Sequence, residues 1–453
     1  MAMWPLKMFF KDNSPGLGAW QETYSASKTL IQWHESGIYW GFFYDYFGLT
    51  GDSQFNDWVD DQMQQAVGPN VGFLDEITKK TGRWNDDIGW WALGVMSAAE
   101  ATKDGILAPK NPIEGQNPRY IDVVNTTFIQ MYEQWDDSCG GGMFCECLLW
   151  SRDRTTPKVN DAYYKSSITN AQHVDMGARL YAYTKNEMYR DYVDRVYTWM
   201  LSSTLIDPVT YAVADGLDSR ACAIDRTLFS YHSGELMSGL ATMYKATGNQ
   251  RYLDEAHKHF KHVASHFTFN NILYDPMRGP APIMPNGFMW PVYRGIGVLY
   301  SITTDDSIKA QIRTIMAASA AFNFQPCNSI WYCIRDLDPS TDRTLWNGTS
   351  PRDQFEVVAI LNALVVITGA PVIQHVQDKT PIVTGDGSTK AATGANTKLA
   401  LYLGIGFGCV ALILVILIVV LVVKRNKALS SRWRIQKGKC IRARQGRSWL
   451  KVQ

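Results

Sequence analysis

The chain has 453 residues, and its aromatic content of 12% includes 16 Trp and 22 Tyr. The formal net charge is +1, but the last 30 residues carry 11 Lys and Arg and no acid, which leaves 33 basic and 43 acidic residues in the remainder. This acidic body argues against a nucleic-acid partner for the folded part. The aromatic rings either fill a large core or line a sugar-binding cleft, and composition does not separate these alternatives.

The N-terminal segment, residues 1–22, contains no apolar stretch followed by a cleavage site of the kind that a signal peptide has. An extracytoplasmic domain with a C-terminal anchor needs an export signal. We therefore expect that the given start omits this signal, with an unusual topology as the alternative.

Residues 23–370 have the sequence pattern of helices joined by short turns, with almost no strand-like alternation. The segments 120–135 and 252–267 place apolar residues at intervals of three and four, which is typical of outer helices with one buried stripe. Less charged, glycine-containing segments alternate with them and are expected to be buried inner helices. Six inner helices and five clear outer partners predict an all-α fold, an (α/α)6 toroid of helical hairpins. The sixth partner is missing or lies near the N-terminus, and an open helical array is the alternative.

The C-terminal part has three regions. Residues 371–398 are rich in Thr, Gly and Ala and predict a stalk. Residues 399–423 are uncharged and mostly apolar, long enough for one transmembrane helix. The basic tail, residues 424–453, follows at once, so the positive-inside rule places it in the cytosol and residues 1–398 outside. We therefore predict a location at the plasma membrane or a secretory-pathway membrane.

Six cysteines precede the apolar segment, and an even number in an exported domain allows disulfides. We predict the pair Cys327–Cys333, because only a short loop separates these two residues. The sequons at Asn125 and Asn347 predict N-glycosylation. Cys145-x-Cys147 lacks a second pair of ligands, and the four histidines of residues 257–266 are expected on a solvated face, so we predict no metal and no cofactor.

Asp86 and Asp87 follow Asn85 at the start of the second predicted inner helix, and three tryptophans flank them. One interpretation is structural: Asn85 caps the helix and the acids complement its dipole. The other is chemical, because unpaired carboxylates in an otherwise apolar helix are costly. Retaining glycosidases use two carboxyl groups about 5–5.5 Å apart, and adjacent residues at the start of a helix can approach this separation.

Several motifs occur in a specific order along the chain: Tyr39-Trp40-Gly41, Thr50-Gly51-Asp52, Asn85-Asp86-Asp87, Cys139-Gly140-Gly141-Gly142, Tyr164-Lys165-Ser166-Ser167-Ile168-Thr169-Asn170, Ser230-Tyr231 and Arg294-Gly295. With this set, the chain resembles the fungal branch of glycoside hydrolase family 76, the endo-α-1,6-mannanases and their cell-wall relatives, over about residues 33–370. The resemblance implies an (α/α)6 barrel and a retaining mechanism without a catalytic metal. It also implies that Asp86 is the nucleophile and Asp87 the general acid/base.

Candidate substrate-binding residues lie near the expected site or in the matching motifs. Trp90, Trp91 and Tyr231 are candidate sugar platforms, with core packing as the alternative. His232 stands where the family pattern has Asn, and it either binds sugar hydroxyls or has a structural role. Arg294 replaces the usual Lys, and Ile88 replaces a Gln. The complete candidate set is Trp90, Trp91, Tyr231, His232, Asn170 and Arg294.

These features predict a retaining glycosidase acting on α-1,6-linked mannan in the cell wall, a mannan endo-1,6-α-mannosidase. One alternative is a transglycosidase that uses the same site to attach glycolipid-anchored mannoproteins to wall glucan. A further alternative is a non-catalytic mannan-binding wall receptor. The intact Asp pair favours the two enzymes. The predicted partners are α-mannan or another mannose-containing glycan and, through one helix, a membrane, but no nucleic acid.

Overall fold

The computed structural model describes residues 2–8, 33–74, 84–103, 105, 117–144, 163–275, 289–325, 327–329, 331, 333 and 351–369. The helices are α1 (Met3–Met8), α2 (Trp33–Thr50), α3 (Asn56–Ala66), α4 (Asn85–Thr102), α5 (Tyr120–Tyr132), α6 (Ser167–Thr184), α7 (Glu187–Ser202), α8 (Ser230–Thr247), α9 (Gln250–His266), α10 (Trp290–Ile302), α11 (Asp306–Asn323) and α12 (Pro351–Thr368). The strands are β1 (Tyr164–Ser166), β2 (Ala214–Asp218), β3 (Ala223–Leu228), β4 (Thr268–Phe269) and β5 (Ile272–Leu273). The fold is therefore mostly helical, as predicted.

The helices fall into two sets. In the order α2, α4, α6, α8, α10 and α12, each helix contacts the next, and α12 contacts α2. The helices α3, α5, α7, α9 and α11 each contact the member of the first set that precedes them, and α1 contacts α12. From the sequence, the sixth outer partner was expected to be missing or to lie near the N-terminus. In the structure α1, near the N-terminus, has this role.

The first set packs closely because small residues face one another. A Cβ atom added at Gly41 of α2 would lie 2.6 Å from the Cα of Gly94 in α4, which is too close for any side chain. Where α12 contacts α2, Arg352 donates two hydrogen bonds of 2.6 Å to the Glu35 carboxylate. This bidentate, largely buried ion pair gives the α2–α12 contact a defined geometry.

The outer helix α9 has the predicted buried stripe. Tyr252, Leu253, Ala256, Phe260 and Val263 are buried, whereas the charged positions between them face solvent. The prediction of a solvated face for all its histidines is wrong. His259 and His262 are buried, and the ring of His259 lies 5.3 Å from the ring of Tyr211. Among the described residues, no cluster of His, Cys, Asp and Glu has the arrangement of a metal site.

The five strands were not predicted. β1, β2 and β3 form an antiparallel sheet in which Tyr164 pairs with Asp218 and Ser166 pairs with Gly216. β1 ends immediately before α6, and β3 ends at Leu228, two residues before α8. The sheet therefore lies at the N-terminal ends of helices from the first set.

Several predictions lie outside the described residues: the segment 9–22, Asn347, the stalk 371–398, the apolar segment 399–423 and the tail 424–453. The chain divides into a unit of residues 1–375 and a unit of residues 376–453, and every described residue belongs to the first. In the part of the chain that is described, no helix combines the length and apolar character that a membrane crossing requires.

Candidate active site

Asp86 and Asp87 occupy the first turn of α4, where the sequence placed them. Trp84, in an extended conformation, is the residue that precedes the helix, and its backbone N–H donates to Asp87 Oδ2 at 3.3 Å. The prediction that Asn85 caps the helix is therefore wrong. Asn85 is the first helical residue, and its buried side chain donates to the carbonyl oxygen of Phe144 at 2.8 Å.

A histidine that the sequence analysis missed completes the charged group. His34, the second residue of α2, has its Nδ1 atom 3.1 Å from Asp87 Oδ1. Burial alone would lower the pKa of His34, but the hydrogen bond and charge of Asp87 outweigh it and raise that pKa to about 8. Burial and the adjacent charge of Asp87 raise the pKa of Asp86 to about 7. The pKa values of His34 and Asp86 therefore both lie near neutral pH.

The glycine-rich loop beside the Asp pair is organised by Lys165, whose side chain is fully buried. Its Nζ donates to the carbonyl oxygens of Asp136, Ser138 and Gly141 at 2.7, 2.7 and 2.8 Å. It also forms an ion pair of 3.0 Å with Asp136 Oδ1. A buried ammonium group with this many oxygen partners fixes the path of the loop.

Asn170, a predicted substrate-binding residue, supports the same loop instead. It is fully buried in α6. Its Oδ1 accepts from the backbone N–H of Met143 at 3.1 Å, and its Nδ2 donates to the carbonyl oxygens of Met143 and Ser166 at 3.1 and 2.8 Å. These bonds use its amide oxygen and amide hydrogens to support the loop, and contact of Asn170 with substrate stays a prediction. Lys165, Asn170 and Asn85 thus hold the loop at residues 136–144 against the start of α4.

Two disulfides are present among the described cysteines. Cys327 and Cys333 are linked, as predicted from their short separation. Cys139 and Cys222 are also linked across a sequence separation of 83, a pairing that the sequence left open. This second bridge ties the glycine-rich loop to the turn between β2 and β3.

We expect Lys165→Met to lower the free energy of unfolding by about 3–5 kcal/mol, because it removes the cation paired with Asp136 and the donor of three carbonyl oxygens. Methionine has nearly the same shape as lysine, so the loss would reflect the charge and hydrogen bonds. Urea denaturation measures it. Lys261→Met, at an exposed position of α9, is the matched control and should cost less than about 0.5 kcal/mol. Equal effects of the two substitutions would contradict the role given to Lys165.

The predicted aromatic platforms have different locations. Trp91 is fully buried, stacks on Trp33 with ring centroids 5.0 Å apart, and donates from Nε1 to the Trp33 carbonyl oxygen at 3.0 Å. Trp90 is also buried and packs edge-on against Trp290 at 5.1 Å. Both rings are core elements in this structure, so core packing, the alternative interpretation, describes them. Tyr231 at the start of α8 remains partly accessible.

Asp215, on β2, is an acid that sequence reasoning missed. Its Oδ2 accepts a hydrogen bond of 2.6 Å from the Tyr164 hydroxyl, and its side chain is 25% exposed. Burial and the charges of Asp215 and Asp86 raise the pKa of Tyr231. His34 therefore joins the sequence-predicted Asp87 by direct contact, whereas Asp215 contacts Tyr164.

His232, the other predicted sugar ligand on α8, is fully buried. Its Nε2 lies 3.7 Å from Asp215 Oδ1, and burial lowers its pKa, so its imidazole is neutral at neutral pH. The structure therefore places His232 next to Asp215, too far for a hydrogen bond, with no exposed surface for a sugar hydroxyl.

Arg294 belongs to an internal ion network. Its guanidinium lies 3.6 Å from Asp45 Oδ2 and 3.4 Å from Asp175 Oδ2, and it donates to Ser238 Oγ at 2.9 Å. Arg294, Asp45, Asp175 and Trp90 line a cavity of about 20 Å³ between the inner helices. That volume holds about one water molecule and no sugar ring. Arg294 therefore connects helices, and its contact with substrate stays a prediction.

Asn125 lies in α5, half-buried, and its Oδ1 accepts a hydrogen bond of 2.7 Å from the Tyr189 hydroxyl of α7. N-glycosylation at Asn125 stays a prediction from the sequon, as it does at Asn347.

The sequence matches the model of glycosyl hydrolase family 76 over residues 2–375. Among curated proteins, it is 29% identical to mannan endo-1,6-alpha-mannosidase DCW1 of Candida glabrata over 54% of this chain and 52% of that protein. The chain thus spans about half the length of the curated relatives it matches.

Among solved structures, Dfg5 from Chaetomium thermophilum in complex with glucosamine is 26% identical, with a TM-score of 0.67 over 82% of this chain and 89% of that one. An inactive variant of the alpha-1,6-mannanase from Salegentibacter sp. HEL1_6, in complex with alpha-1,6-mannotriose, has a TM-score of 0.62 at 17% identity. This similarity covers 81% of this chain and 98% of that one, and two consecutive aspartates are replaced by asparagine in the variant.

Proposed function

Because the chain belongs to glycosyl hydrolase family 76, we propose that it is a retaining glycosidase that cleaves α-1,6-linked mannan in the cell wall. The observation that carries the proposal is the pair Asp86 and Asp87 in the first turn of an inner helix, with His34 against the second carboxyl group. A retaining mechanism requires two neighbouring carboxyl groups, one as the nucleophile and one as the general acid/base. The curated relatives are named for this activity, which supports the choice of substrate.

The proposed roles follow the resemblance. Asp86 attacks the anomeric carbon in its ionised form, and Asp87 protonates the leaving oxygen and later takes a proton from water. The raised pKa of Asp86 means that its ionised fraction increases through pH 7. The mannanase that lost two consecutive aspartates is inactive and was obtained with a bound trisaccharide, which supports this pair as the catalytic one.

We also propose that the helices form an (α/α)6 toroid. The support is the cyclic order of contacts among α2, α4, α6, α8, α10 and α12, with an outer helix beside each member. In such a ring the starts of the inner helices share one end. Asp86, Asp87, His34 and Tyr231 all occupy first turns of inner helices, which would bring them to that end.

The test is incubation of the purified full chain with α-1,6-mannotetraose, with α-1,2-mannotetraose as the matched linkage control and mass analysis of the products. Shorter oligomers from the first substrate alone are expected. Products longer than the substrate would assign the transglycosidase function instead. Binding without any product would assign the mannan-binding receptor, and equal cleavage of both tetrasaccharides would contradict the linkage preference.

For location, we propose that residues 399–423 cross the plasma membrane or a secretory-pathway membrane, with residues 1–398 outside the cytosol and residues 424–453 inside. The support is the sequence pattern of a long apolar segment followed by a basic tail. Protease added to intact cells should digest the large N-terminal part and spare the tail. Complete protection of residues 1–398 would contradict this orientation.

A further inference from the structure

The imidazole of His34 contacts one carboxyl group, that of Asp87. On its own helix, the neighbouring Glu35 is bound in a bidentate ion pair by Arg352 of α12. Besides Glu35, the acids whose charges act on His34 are Asp86 and Asp87 of α4. The Nδ1 atom of His34 lies 3.1 Å from Asp87 Oδ1. The side chains of His34 and Asp87 are 15% and 20% exposed, so the pair is shielded but reachable.

Both carboxyl oxygens of Asp87 have a partner. Oδ1 lies at the imidazole, and Oδ2 accepts the backbone N–H of Trp84. A hydrogen bond between Asp87 Oδ1 and His34 Nδ1 lets a proton pass between the two side chains. The general-acid role requires Asp87 to receive a proton in every turnover, and His34 is in direct contact to supply it.

We propose that His34 is a positioning residue that stores the proton which Asp87 delivers to the leaving oxygen. The inference rests on the proposed glycosidase function and deepens it. It assigns to a histidine of the first inner helix a role that neither the family resemblance nor the Asp pair provides.

The proton balance closes over one catalytic cycle. In the first step, an Asp86 oxygen bonds to the anomeric carbon while the bond to the leaving oxygen breaks. Asp87 gives that oxygen a proton and receives the Nδ1 proton of His34, which becomes neutral. In the second step, water oxygen bonds to the anomeric carbon and the bond to Asp86 breaks. The water proton passes to Asp87 and back to His34, so that one glycosidic bond and one water molecule are consumed.

The raised pKa of His34, about 8, supports this role because the imidazolium is the main form at neutral pH. Activity requires ionised Asp86 and protonated His34. It should therefore fall as the pH decreases through about 7 and as it increases through about 8. Because the charges of Asp86 and His34 act on each other, the two limbs of the pH profile belong to this pair rather than to either residue alone.

The test combines His34→Gln with two substrates. Glutamine retains a hydrogen-bond donor for Asp87 but stores no acidic proton. We expect kcat for α-1,6-mannotetraose to fall about 100-fold, the lower end for general acid catalysis. A mannobioside whose aryl leaving group departs without protonation should lose less than about 3-fold, since it needs no acid. His257→Gln on α9, whose ring contacts Thr303, is the matched control and should leave both rates unchanged. Equal losses on both substrates, or no loss on either, would overturn the proposal.

A measurement without substrate separates this proposal from the glycosidase assignment. Titration of the His34 imidazole by NMR in the full chain should give a pKa near 8, which falls in Asp87→Asn because the opposite charge is removed. An ordinary value that Asp87→Asn does not change would overturn the pairing even if mannan is cleaved. The expected titration in a chain that cleaves no mannan would instead reject the glycosidase function.

Discussion

Asp86→Asn should reduce kcat on α-1,6-linked mannose oligomers by about 10⁴-fold or more, because the amide cannot form the covalent bond to the anomeric carbon. That loss corresponds to about 5 kcal/mol in the activation barrier. The amide has the size of the carboxyl group, and it relieves the burial and repulsion that raise the pKa of Asp86. The variant should therefore fold at least as well as the parent chain, and thermal unfolding checks this.

The matched control for this experiment is Asp57→Asn, which makes the same change in the first turn of the outer helix α3, at an exposed position. Its activity should equal that of the parent chain. Full activity of Asp86→Asn would return the Asp pair to the structural interpretation, in which the acids only complement the helix dipole.

The second large effect is expected at Asp87. Asp87→Ala retains the nucleophile but loses proton delivery, so kcat on mannose oligomers should fall about 10²- to 10⁴-fold. A substrate with an activated leaving group should still form the glycosyl-enzyme rapidly. Its breakdown should be slow and should be accelerated by azide, a small anion that needs no general base. Rapid-mixing kinetics with and without azide measure both steps.

Asp87→Ala also removes the hydrogen bond to the Trp84 backbone and the partner of His34. A stability loss of about 1–2 kcal/mol is expected from the lost helix-start bond and ion pair. The kinetics are therefore compared at a temperature where the variant remains folded. Azide rescue in an Asp86 variant but not in Asp87→Ala would exchange the two roles.

The helical architecture could be predicted from sequence because periodicity is a local signal. Apolar residues between Tyr252 and Phe267 recur at intervals of three and four, and the structure forms α9 at Gln250–His266. The start of α4 was predicted for a similar reason, since polar residues precede a long apolar run there. The short strands were missed, because stretches such as Ile272–Leu273 contain too few residues to show alternation.

The candidate site was only partly predictable, because its contacts join distant parts of the chain. Asp86 and Asp87 were found since they are adjacent in sequence. His34 lies on another element, and no local pattern marks it as the partner of Asp87. Trp91 shows a different limit. Inner helices are buried on nearly all sides, so periodicity does not distinguish a side chain facing the cleft from one facing a neighbouring helix.

Lys165 and Cys139 illustrate the same dependence on tertiary structure. A lysine in a polar motif suggests an exposed or ligand-binding side chain, yet Lys165 is fully buried among carbonyl oxygens. Cys139 pairs with Cys222 across 83 residues, and six cysteines allow 15 pairings that spacing alone does not separate.

The central claim is that Asp86 and Asp87 cleave an α-1,6-mannosidic bond by double displacement. The most direct test is proton NMR of the anomeric signals during the first minutes of α-1,6-mannotetraose cleavage by the full chain, before the products interconvert by mutarotation. Two successive inversions at one carbon predict that the new reducing end appears first as the α anomer. First appearance of the β anomer would show a single displacement and would contradict the proposed mechanism.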